Sequence, residues 1–158
     1  MKDKKTLLDE LKERFDKTKK ELRFKSIFED IDEIFFIKDL VLEKGFISED
    51  FSNQLRGRMA EVFIFWDNYL HNLVMPNPQN LFIIHESKVF NEVEKKDIMK
   101  MMSRISFVIS KNTVLRLSRN KKEEGKIIDE FVGFWKNSYQ PFYLKIMEKI
   151  RDRWKDEK

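Results

Sequence analysis

The chain contains no cysteine. Disulfide bridges, thiolate metal sites and cysteine nucleophiles are therefore excluded, and nothing in it depends on an oxidising compartment. Glycine is nearly as scarce: Gly45, Gly57, Gly125 and Gly133 are all there are, each isolated. A loop that cradles phosphate through backbone amides needs clustered glycines, so Walker and dinucleotide-binding motifs are absent. The two histidines, His71 and His85, follow Asn68 and Phe82 by three positions, so the Glu-x-x-His pairs of di-iron bundles are missing. No His-Glu-x-x-His sequence or nucleophile elbow occurs either. Proline appears three times, at Pro76, Pro78 and Pro141. The longest apolar-rich stretch, 59–75, is interrupted by Glu61, Asp67, Asn68, His71 and Asn72, too short and too polar for a simple membrane span. The charged start, MKDKKTLLDELKERF, lacks the apolar core of a signal peptide. A soluble, cytoplasmic protein without a cofactor or an implied small-molecule substrate is the expectation.

What remains is 41% hydrophobic and 38% charged residues, with fifteen Phe in 158 positions. So many aromatics argue against disorder, and few breakers among Lys, Glu, Leu and Ile argue for helices on short connections. The predicted architecture is all-α: one domain over 1–158, a bundle of five to six mostly antiparallel helices. Leu8, Leu11, Phe15, Thr18 and Leu22 stripe the first helix, about 3–23. Ser26 and Glu29 form a capping-box signature for a second helix that Gly45 ends. Ser48 caps a third, about 49–74, read as the central apolar helix. Asn91 and Glu94 open a fourth on Ile98, Met102, Ile105 and Ile109, with a break expected near Asn112. Asn120 and Glu123 open a fifth. Pro141 suits the first turn of a sixth, striped by Tyr143, Met147, Ile150 and Trp154.

Three places carry candidate chemistry. Residues 1–79 hold 14 basic against 16 acidic side chains, and residues 80–158 hold 18 against 12. Between Ile98 and Lys122 there is no acid, while Lys100, Arg104, Lys111, Arg116, Arg119, Lys121 and Lys122 are present. A basic stripe with serines beside it is the footprint of phosphate contacts, hence a nucleic-acid or ribosome-associated reading. Asp67 and His71 share a helical face and, with His85 and Glu86, would make a mixed carboxylate–imidazole metal site. Against that, polar groups in the last turns of a buried helix serve as partners for its carbonyls and the turn that follows. The acids Glu29, Asp30, Asp32 and Glu33 read as a solvated first turn. The surplus of aromatics supports the leading reading, a non-catalytic binding or adaptor protein that engages a protein partner or a second copy of itself, ahead of nucleic-acid binding and, last, the metal site.

Overall fold

A computed structural model describes residues 3–156. It is an all-α helical bundle with no strand among the described residues. The helices are α1 Lys4–Leu22, α2 Phe28–Phe35, α3 Ile37–Lys44, α4 Phe51–Val74, α5 Leu81–Ser87, α6 Glu92–Ser118, α7 Lys121–Phe134 and α8 Gln140–Asp156. A π-helical turn, Trp135–Tyr139, joins α7 to α8 without a break, so the described chain makes seven separate helices. Expecting five to six undercounted, for two physical reasons.

First, the segment before Gly45 is two helices. Phe36 takes a left-handed conformation, φ 55°, which a non-glycine residue adopts only when its surroundings hold it there. Asp32 does much of that holding: its carboxylate accepts from the Lys38 N–H at 2.8 Å, and Arg58 donates to the Phe35 carbonyl at 2.8 Å. Second, the apolar fragment after the prolines becomes a helix of its own, capped by the Asn80 side chain.

Other helix ends differ in detail from the expectation. Asp50, rather than Ser48, accepts from a first-turn N–H of α4, that of Asn53. The Ser26 hydroxyl caps nothing; it donates to Asp129 at 2.6 Å, as do the N–H groups of Lys25 and Ser26. Gly45 does end α3, at φ 77°. Asn91 accepts from Glu94 N–H as its spacing implied. Helix α6 continues through Asn112, because its buried positions run Ile98, Met101, Ile105, Val108, Asn112, Leu115. Those alternate spacings of three and four keep one unbroken phase with Asn112 inside it. Pro141 has no N–H to give and would crowd the preceding turn of an α-helix. The wider π turn, closed by Gln140 N–H onto the Trp135 carbonyl, lies immediately before it.

The chain clusters into two compact units. One comprises the residues up to Val62 together with Ile109–Gly133, the other Phe63–Val108 together with the residues from Phe134 on. In the first, α1 packs on α3, and Phe15 meets Phe24 and Phe28 edge-on at 5.5 and 5.1 Å. Leu11, Ile31, Phe35, Ile37, Leu55, Met59, Ile128 and Phe131 complete its core. In the second, Phe63 gathers Phe134, Trp135 and Tyr139 within 5.4–5.7 Å, and Tyr143 packs on Trp66 at 5.0 Å. Edge-to-face aromatic packing contributes beyond the area it buries.

Candidate functional site

In the first unit, α4, α6 and α7 each contribute one polar residue, and α4 a second, to a buried cluster. Arg56, 1% exposed, donates from Nη1 to Asn112 Oδ1 at 2.6 Å and from Nη2 to Glu124 Oε1 at 3.1 Å. Its Nε donates to Ser52 Oγ at 3.3 Å, and the Ser52 hydroxyl donates to Glu124 Oε2 at 3.1 Å. Burial pulls the Arg56 pKa down, while the charges of Glu124 and Asp50 push it back up. Buried polar groups are tolerable when satisfied in this way, and the arrangement ties three helices together.

In front of that cluster lies an open cleft of about 1620 Å³. The end of α1 and the turn after it line the cleft with Lys17, Thr18, Arg23 and Lys25. The start of α4 adds Glu49, Asp50, Phe51 and Ser52, and α7 adds Lys121, Lys122, Glu124, Gly125 and Lys126. Sequence reading found only Lys121 and Lys122 of these. The α1 and α4 residues lie roughly seventy to a hundred positions away, and only the fold brings them near. One signal was legible: a glycine inside a helix, Gly125, marks a close approach, here to the Leu22 backbone.

The remaining basic residues of the 98–122 stretch are partly committed. In the second unit Lys100 lies 4.0 Å from Asp97, and Arg104 donates to Ser138 while stacking over Phe134 at 5.1 Å. In the first unit Lys111 pairs with Glu130 at 2.8 Å. Among the described residues, Arg116, Arg119, Lys121 and Lys122 make no ion pair.

The outward side of α6 is of a different character. At 100° per residue, Met99, Ser103, Ser106 and Phe107 lie opposite the buried Ile98, Met101, Ile105 and Val108. All four are exposed, Met99 by 52% and Phe107 by 64%, and none is charged. In the first unit the same helix exposes Ser110, Thr113, Val114 and Leu117.

Asp67, His71, His85 and Glu86 all belong to the second unit. Among the described residues, no three or more carboxylates and imidazoles are placed to hold a metal ion. Both Glu86 oxygens are engaged, accepting from the Tyr69 hydroxyl at 2.6 Å and Trp154 Nε1 at 2.9 Å. The His85 ring stacks on Trp154 at 4.8 Å. The α4 terminus is served by Ser87, whose hydroxyl donates to the Leu73 carbonyl at 2.6 Å. Of the polar groups in the last turns of α4 that the sequence offers for this, His71 and Asn68 are exposed. Burial holds the phenols of Tyr69, Tyr139 and Tyr143 above the usual tyrosine range.

Burial likewise raises the Asp67 carboxyl, with His71 pulling the other way. An acid whose folded pKa exceeds its unfolded one binds its proton more tightly when folded. Its ionisation therefore lowers stability as the pH rises from the unfolded value through the folded one. Asp67→Asn is expected to raise Tm at pH 7 by about 1–2 °C, small because the group is only half-buried. The gain should shrink as the pH falls toward 4, in paired thermal melts.

Fold and site together define an all-α helical bundle with a buried arginine cluster behind a charged cleft and an uncharged outward helix face. Comparison with protein-family models, curated proteins and solved structures returns no match. Among the described residues, no helix is long and apolar enough to cross a membrane.

Proposed function

We propose that this chain is a non-catalytic, cytoplasmic adaptor whose α6 outward face receives an amphipathic helix of a partner protein. The observation that carries the reading is that face: Met99 and Phe107 exposed on a seam with Ser103 and Ser106, without a charge on it. Large exposed apolar groups on a regular helix face mark interaction surfaces, and small serines let a second helix approach closely. The flanks choose the partner. No acid occurs from Ile98 to Lys122, and Lys96 and Lys100 border the seam. A second copy of the chain would oppose like charges there, whereas a helix with acidic flanks would not.

The intact protein, titrated with amphipathic helical peptides sharing one apolar seam, is expected to bind acid-flanked peptides at least tenfold more tightly than base-flanked ones. Phe107→Glu and Met99→Glu should abolish that binding, with thermal melts establishing that each variant is folded. Binding indifferent to these substitutions overturns the reading. So does a concentration-dependent dimer that the same substitutions dissolve, which would make the second copy the occupant.

The nucleic-acid reading keeps one specific support, the cations Arg116, Arg119, Lys121 and Lys122, which make no ion pair among the described residues. Lys121 and Lys122 belong to the cleft of the first unit, whose lining favours another ligand.

A further inference from the structure

We infer that the cleft formed by the end of α1 and the starts of α4 and α7 binds a multiply phosphorylated anion that carries no base. The inference is independent of the α6 face.

Charge comes first. Seven cations line the cleft against five carboxylates, and the carboxylates are the more committed. Asp129 accepts from Lys25 N–H, Ser26 N–H and the Ser26 hydroxyl; Glu124 is bound by Arg56 and Ser52; Asp50 caps α4. Among the described residues, Lys17, Arg23, Lys25, Lys121 and Lys122 make no ion pair. The free cations thus outnumber the uncommitted acids, Glu21 and Glu49. The starts of α4 and α7, helices of 24 and 14 residues, add two positive dipole ends against the one negative end of α1.

A hydroxyl on the cleft wall points the same way. Thr18 is only 6% exposed as a residue, yet it lines the cleft; its hydroxyl makes no hydrogen bond among the described residues and is not sealed from solvent. An unspent donor in a cleft lined by free cations suits a phosphate oxygen.

Size and lining define the class. The volume, about 1620 Å³, exceeds that of an ordinary small-molecule pocket and leaves room for several phosphates. Nucleotides and single strands are held by aromatic side chains on which bases stack. The cleft's single aromatic, Phe51, is 2% exposed and offers no such platform. Phosphate chemistry without base recognition remains: a linear polyphosphate or a polyphosphorylated ring.

The test is calorimetric titration of the intact protein, at about 50 mM salt, where phosphate contacts are strong. The probes are inorganic tripolyphosphate, inositol hexakisphosphate, ATP and a single-stranded RNA. Saturable binding of either of the first two, tighter than ATP or RNA, is expected, and which of the two binds better identifies the source. Lys121→Glu with Lys122→Glu should weaken it more than tenfold, and Thr18→Val about threefold. Lys145→Glu, in the other unit, should leave it unchanged. Circular dichroism establishes that each variant is folded, and a ligand-induced rise in Tm gives a second readout. The inference is overturned by absence of binding, by preference for ATP or RNA, or by equal weakening from Lys145→Glu.

Discussion

Arg56→Met is expected to lower the unfolding free energy by about 3–5 kcal/mol, the range for removing one partner of a buried ion pair. Methionine fills similar space, so the loss measures unpaired polar groups rather than a cavity. Glu124 would keep a buried charge with only Ser52 as donor, and Asn112 Oδ1 would lose its partner at 2.6 Å. The accompanying fall in Tm should be on the order of 10 °C for a chain of this size. The double variant Arg56→Met, Glu124→Gln is expected to recover a substantial part of that loss, because the stranded charge is gone. Urea denaturation of the single and double variants measures both quantities. A single-variant loss below about 1 kcal/mol, or strictly additive losses, would show that the cluster is solvated rather than sealed.

That cluster also shows where the sequence was legible and where it was not. Helical periodicity, the Gly45 terminus and the Asn91 cap were readable because each depends on residues within a turn or two of one another. The all-α class follows from them. Arg56, Asn112 and Glu124 were not readable, since each alone looks like a surface residue and only tertiary placement makes them partners. The break expected at Asn112 is the instructive error. The apolar phase of Ile98, Met102, Ile105 and Ile109 drifts across 110–118 and so suggests a break, whereas the buried phase runs on through Asn112, in step with Ile105, Val108 and Leu115. The split at Phe36 was hidden for a related reason, because the Arg58 side chain that meets the Phe35 carbonyl comes from a different helix. The candidate sites divide along the same line. The α6 face lies within a local repeat, but the lysines beside it are the more conspicuous feature of that stretch. The cleft draws on Lys17, Arg23 and Lys25 at one end of the chain and Lys121 and Lys122 at the other. No local pattern joins them.

Two glycines within helices are expected to respond to the same substitution with opposite signs. An alanine at either would gain about 0.5–1 kcal/mol from reduced backbone freedom, if nothing else changed. At Gly57, on α4, a Cβ would meet nothing within 4 Å, so Gly57→Ala should raise stability by that amount. At Gly125, on α7, a Cβ would lie 2.2 Å from the Leu22 carbonyl oxygen and 3.1 Å from its carbon. Those are backbone atoms, so relief requires the end of α1 and the start of α7 to separate. Overpacking of this kind costs about 1–3 kcal/mol and exceeds the propensity gain. Gly125→Ala is therefore expected to destabilise. Because the same two helix ends carry Lys17, Arg23, Lys121 and Lys122, it should also weaken tripolyphosphate binding while leaving every cation in place. A matched pair of melts and titrations separates the effects. If Gly125→Ala were as stabilising as Gly57→Ala, the close approach of α1 to α7 would be wrong, and with it the geometry of the cleft.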